Sequence, residues 1–126
     1  MKRVTGIGGI FFKCKNKKEL LEWYKKHLGI PAEEWGAMFF SKNETNPNAY
    51  LVWSPFPSDT KYFSPSEKEF MINFRVDDLH ALLKVLREEG VTVMEKVEES
   101  EYGKFGWIID PEGNKIELWE MPGENQ

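Results

Sequence analysis

Phe70-Met71-Ile72-Asn73-Phe74-Arg75-Val76 runs straight into Asp77-Asp78-Leu79-His80-Ala81-Leu82-Leu83-Lys84-Val85-Leu86. In the first part side chains alternate. Ile72, Phe74 and Val76 fall on one side of an extended chain, and Met71, Asn73 and Arg75 on the other. In the second part Leu79, Leu82, Leu83 and Leu86 recur at the helical period. Asp77 or Asp78 suits the N-cap and Gly90 the stop, which predicts a helix near 77–89. The stretch therefore reads as a strand feeding an amphipathic helix.

The same pattern stands 62 residues earlier. Ile10, Phe12 and Cys14 fall on Ile72, Phe74 and Val76, and Leu20, Leu21 and Tyr24 on Leu82, Leu83 and Leu86. Asn16 with Glu19 offers a capping box and Gly29 a C-terminal stop, so a first helix is expected near 16–28. Strand-like pieces follow each helix: Ala37–Ser41 and Tyr50–Trp53, then Val91–Val97, Phe105–Ile109 and Lys115–Trp119. Asp110-Pro111-Glu112-Gly113-Asn114 is hairpin-turn chemistry, and Asn43 to Asn48 reads as another turn. The arrangement predicts an α+β domain of two tandem βαβββ modules. One module alone leaves a sheet face without a partner, so the two pack together. Module one is expected over about 4–53, a proline-bearing linker over about 54–68, module two over about 69–120 and a frayed tail over 121–126.

With 126 residues and 14.8 kDa, the chain is one domain by length. Charged residues are 30% and hydrophobic ones 40%, too apolar for a disordered chain. Asp+Glu 21 against Lys+Arg 17 leaves a net charge of −4, which argues against nucleic acid as partner. The single cysteine, Cys14, excludes an internal disulfide and a multi-cysteine zinc site. It alternates with Ile10 and Phe12 and reads as a buried small hydrophobe. No apolar run approaches the roughly 18 residues that span a bilayer, and the N-terminus lacks a small-residue cleavage pattern. A soluble cytoplasmic protein with no membrane partner is expected. His27 and His80 lie on different helices and read as surface residues.

The two strand–helix openings, the βαβββ order and the closing Asp110-Pro111-Glu112-Gly113-Asn114-Lys115-Ile116-Glu117-Leu118 resemble the vicinal oxygen chelate superfamily, which includes glyoxalase I, extradiol dioxygenases and fosfomycin- and bleomycin-resistance proteins. The resemblance covers about residues 4 to 120. It implies that the strands curl into a funnel and that the chain forms a homodimer. In the family's metal enzymes four ligands, usually His and Glu, line that funnel. Carried over, their positions fall on Gly9, near Trp53, on Met71 and on Glu117. Only Glu117 is a ligand type: glycine has no side chain, Trp offers no lone pair, and Met sulfur is soft. No metal and no cofactor are therefore expected at the family position.

Strand alternation sorts the remaining side chains. Gly9, Phe11 and Lys13, then Met71, Asn73 and Arg75, then Lys115, Glu117 and Trp119 are expected to face the funnel, joined by Trp53, Leu51 and Trp107. Tyr102 lies in the acidic glycine-bearing loop before a funnel strand, which the resemblance places at the mouth of the site. The predicted ligand-binding set is Phe11, Trp53, Met71, Asn73, Arg75, Tyr102 and Trp119, with Glu117 as the candidate catalytic carboxylate. Apolar walls with a few convergent polar groups suit a small-molecule ligand. Arg75 can grip an anionic ligand or neutralise Glu117; the aromatics can recognise a ligand or fill the barrel. Three functions stay open: a binding protein for a small apolar or aromatic molecule, a lyase or isomerase using Glu117 as base or as ligand of a non-standard metal, and a domain whose funnel is packed shut.

Overall fold

The computed structural model describes residues 1, 3–28, 30–40 and 48–123. Its elements follow as β1 (Val4–Cys14), α1 (Lys17–Leu28), β2 (Ala37–Phe40), β3 (Tyr50–Pro57), β4 (Phe70–Val76), α2 (Leu79–Glu88), β5 (Thr92–Ser100), β6 (Gly103–Ile109) and β7 (Lys115–Glu120). The strands form one mixed sheet in the order β2-β3-β1-β4-β7-β6-β5. This is the α+β curled sheet expected. Among the described residues module two is βαβββ, whereas module one has two strands after its helix, preceded by an isolated bridge between Glu33 and Gly36.

The caps read from sequence are present. Asp78 accepts from the Ala81 N–H at 3.1 Å, and Asn16 accepts from the Glu19 N–H at 3.0 Å. Gly90 ends α2 with φ +84°, where a Cβ is disfavoured. Gly29, the expected stop of α1, lies outside the described residues, as does most of the expected turn before Asn48. The Asp110 carboxylate closes the β6–β7 hairpin on the N–H groups of Glu112 and Asn114, both at 2.9 Å.

The repeat becomes an internal pseudo-dyad. β1 and β4 pair antiparallel at the centre, with Ile10 opposite Ile72, Gly9 opposite Asn73 and Phe11 opposite Met71. Shifting by 62 residues exchanges the last two pairs, so the axis runs through Ile10 and Ile72. Helix α2 buries Leu79, Leu82 and Leu83 against Val76 and Leu118, and α1 packs on β3. A second cluster, Phe11, Phe63, Met71 and Trp107, fills the inside of the curl.

Two expectations are corrected. Ser54–Pro57 is the second half of β3, not the start of the linker. β2 pairs with β3 only as far as Trp53, so Pro55 and Pro57 lie beyond it and interrupt no ladder on that side. The crossover is thus 58–69. The longer β3 also settles which way Trp53 points: its ring packs at a tilt against Tyr24 of α1 at 4.8 Å and against Phe12 at 5.7 Å, outside the funnel. Leu51 follows it by alternation, and Val52 and Ser54 take the inner face.

Candidate functional site

The inner face of the curl encloses a cavity of about 520 Å³. Phe11 from β1, Tyr50, Val52, Ser54 and Phe56 from β3, Asn73 from β4, Phe105 from β6 and Glu117 and Trp119 from β7 line it. Trp35 and Met38 close one side, Tyr62 comes from the crossover, and Tyr102 stands exposed among the lining residues.

Glu117 is 2% exposed and takes three hydrogen bonds: from the Tyr62 hydroxyl at 2.5 Å, from Asn73 Nδ2 at 2.6 Å and from Trp107 Nε1 at 2.9 Å. Burial pushes its carboxyl above the ordinary range, against the opposing pull of these donors and of Lys115. The Tyr62 phenol is pushed up as well, by its own burial first and then by the carboxylate it touches. Lys115 lies behind them. Its Nζ donates to the Tyr62 carbonyl at 2.6 Å and sits 5.3 Å from the centres of the Tyr62 and Trp107 rings. Desolvation lowers its pKa.

Asn73 owes its position to a bulge. The β1–β4 register shifts between Ile7 and Gly9, and Gly8 turns its Cα toward Asn73. A Cβ on Gly8 would lie 1.9 Å from Asn73 Oδ1, so only glycine leaves room for the amide that holds Glu117. Gly9 leaves its space to the Phe11 ring, 2.8 Å from where a Cβ would be.

Of the residues read from sequence, Phe11, Asn73, Tyr102, Glu117 and Trp119 meet at this cavity. Trp53 does not, for the reason given above. Met71 faces inward but is wholly buried with Phe11, Phe63 and Trp107, beneath the wall rather than on it. Arg75 and Glu117 are both buried, with different partners. The guanidinium spans the curl and donates to the carbonyls of Ile7 at 2.7 Å and Tyr50 at 2.9 Å. Cys14 is half-buried, its thiol pKa raised by desolvation. His80 is exposed, 2.8 Å from Glu99. The side chain of His27 is outside the described residues.

Sequence reasoning missed Tyr62, Tyr50 and Phe56. The signal for Tyr62 was present: Tyr62-Phe63 is an aromatic pair inside an otherwise polar connection, and such a pair seeks burial. Phe63 is fully buried and anchors the crossover across the funnel.

The family's metal can be tested against this donor set. Phe11 pairs with Ser54 as Asn73 pairs with Glu117, so Ser54, not Trp53, is the first-module counterpart of Glu117. The Ser54 hydroxyl already donates to the Trp35 carbonyl. The four positions thus carry no side chain, a committed hydroxyl, a buried thioether and one carboxylate held by three donors. Among the described residues no three His, Cys, Asp or Glu side chains cluster. The residues do not fit a divalent ion.

A curled sheet built from two strand–helix repeats about a pseudo-dyad, with its site on the inner face, defines a class of small funnel proteins. The chain matches the Glyoxalase/Bleomycin resistance protein/Dioxygenase superfamily over residues 7–118, and it belongs to that family. Similar solved structures include methylmalonyl-CoA epimerase from Mycobacterium tuberculosis, at 20% identity and TM-score 0.64, covering 99% of this chain and 93% of that one. The Streptomyces coelicolor methylmalonyl-CoA epimerase in complex with 2-nitronate-propionyl-CoA gives 19% and 0.68, covering 95% and 99%. A structure described as NAD-dependent benzaldehyde dehydrogenase from Legionella pneumophila gives 16% and 0.60, covering 90% and 98%. At these identities the likeness is one of fold. No curated protein gives a significant match. No helix among the described residues is long and apolar enough to cross a membrane.

Proposed function

We propose that this protein binds a small apolar or aromatic molecule in its funnel, with no divalent ion at the family position. The observation that supports the reading is the cavity itself: about 520 Å³, walled by aromatic rings, with few inner polar groups, the Glu117 carboxylate, the Asn73 amide and the hydroxyls of Tyr62 and Ser54. That volume lies within the range of small-molecule sites, and the balance of apolar wall and few polar groups is theirs too. The test is a thermal-shift survey with aromatic compounds. A ligand present at one hundred times its Kd raises the melting temperature by on the order of 10 °C for a domain of this size. Failure of every aromatic compound to shift the transition, together with near-stoichiometric metal that departs in Glu117→Ala, would overturn the reading.

A second reading, a lyase or isomerase with Glu117 as base, is favoured by one specific observation. A carboxyl whose pKa is raised by burial is better matched to proton transfer near neutral pH than an ordinary one. Turnover that disappears in Glu117→Gln while ligand binding persists would select it.

The homodimer is proposed on separate grounds. Ile7, Ile10 and Phe70 are about 40% exposed on the outer face of the central strands, between the two helices. This apolar strip lies about the pseudo-dyad and so can face a second copy of itself. Sedimentation equilibrium decides it: a monomer at micromolar concentration, or a dimer untouched by Ile10→Lys, removes this support.

A further inference from the structure

The charge of the cavity carries the reading one step further. Among its described lining residues Glu117 is the single carboxylate, and no Lys, Arg or His side chain is present. The two buried cations nearby are engaged elsewhere: Arg75 on the carbonyls of Ile7 and Tyr50, and Lys115 on the Tyr62 carbonyl, against the Tyr62 and Trp107 rings. Of the three groups that touch Glu117, the Trp107 indole nitrogen can only donate, and the Asn73 amide presents its nitrogen. Donors in that arrangement fit an ionised carboxylate, and among the described residues no cation touches it: Lys115 acts on it from a distance, with its own ammonium bonded to the Tyr62 carbonyl. The walls point the same way. Trp119 and Phe105 stack at 5.8 Å and 8°, Phe56 and Tyr62 at 5.5 Å and 26°, and Tyr50 meets Trp119 at 5.3 Å. The faces of aromatic rings attract cations and disfavour anions.

We infer that the cavity takes an apolar or aromatic molecule bearing a positively charged nitrogen, with that nitrogen directed toward Glu117. The inference rests on the small-molecule reading above and adds the ligand's charge. A carboxylate or phosphate ligand is disfavoured, because the cation expected to receive it, Arg75, is held on main-chain carbonyls instead.

The test uses probes of one shape and different charge: naphthylmethylammonium, naphthylmethanol and naphthylacetate, titrated calorimetrically into the wild type and Glu117→Gln. The ammonium is expected to bind about tenfold tighter than the alcohol, and the acetate weakest. In Glu117→Gln the ammonium-to-alcohol ratio falls several-fold. An alcohol as tight as the ammonium, an acetate tighter than either, or a ratio unchanged in Glu117→Gln overturns the inference. Should that variant not fold, the wild-type series still decides, and Phe105→Leu, which removes one wall ring, must weaken the ammonium more than the alcohol. The two readings fail separately. If none of the three probes binds, the small-molecule reading falls and takes this one with it. If the alcohol binds and the ammonium gains nothing, only the charge assignment falls.

Discussion

Tyr62 and Glu117, 55 residues apart in sequence, meet in a hydrogen bond of 2.5 Å between phenol and carboxylate. The contact ties the crossover between modules to the last strand and sets the inner end of the cavity. It also makes the protonation of Glu117 depend on a residue outside both modules.

Tyr62→Phe keeps the ring on Phe56 but removes the donor. The variant is expected to lose about 1–2 kcal/mol in urea denaturation at neutral pH. The Glu117 carboxyl moves further up, since the Tyr62 bond opposes the effect of burial. A carboxyl-edited infrared or NMR titration reads that shift. Unchanged stability together with an unchanged titration would show the bond to be absent in solution.

Glu117→Gln tests the sign of the buried charge. The folded carboxyl titrates above its unfolded value, because desolvation outweighs its hydrogen bonds. The folded state therefore binds more protons than the unfolded one between those two values. Wild-type stability from this group is fully present below the unfolded pKa and declines as pH rises toward the folded pKa, by at most about 1.4 kcal/mol per pH unit. Gln does not titrate, so the variant gains on the wild type as pH rises through that window. A wild type that gains on the variant instead would reverse the assignment. Near pH 4 the two are expected to lie within about 1 kcal/mol, since the Gln amide can be accommodated by turning over the Asn73 amide.

Gly8→Ala places a methyl where Asn73 Oδ1 now sits. Asn73 must move, and its 2.6 Å bond to Glu117 goes with it. A loss of about 1–3 kcal/mol is expected, with weakened binding of any ligand found for the cavity. Gly123→Ala, with no atom of the described residues within 4 Å of the added methyl, is the control and stays within about 0.5 kcal/mol of the wild type. Equal stability of the two variants would mean that the bulge does not hold Asn73.

Trp53 and Arg75 separate structure from recognition. Trp53→Leu removes the ring contact under α1 and is expected to cost about 2–4 kcal/mol in denaturation with ligand affinity unchanged, because the ring is outside the funnel. Arg75→Met leaves the carbonyls of Ile7 and Tyr50 without their donor and costs about 2–4 kcal/mol. A ligand whose affinity falls strongly in Trp53→Leu would restore Trp53 to the inner face.

Much of this molecule is legible in order of sequence distance. Both helices, their caps and the Asp110 hairpin depend on residues within four positions of each other, so local spacing reveals them. The inner face of β4 and β7 was legible for the same reason: Asn73, Glu117 and Trp119 follow strict alternation inside uninterrupted strands. Trp53 escaped because its face depends on how far β3 runs, and the prolines that mark a linker in sequence are tolerated beyond the end of β2.

By itself the sequence determined the two strand–helix repeats, their tandem order and the inward placement of a lone carboxylate at Glu117. These follow from periodicity, which is a property of the chain alone. The tertiary structure decided who meets that carboxylate. Tyr62 arrives from the crossover and Trp107 from β6, while Arg75 turns away to main-chain carbonyls across the curl. No periodicity encodes these choices. A buried charge or donor takes whichever partner the folded backbone brings within about 3 Å, and that geometry exists only once the sheet has curled.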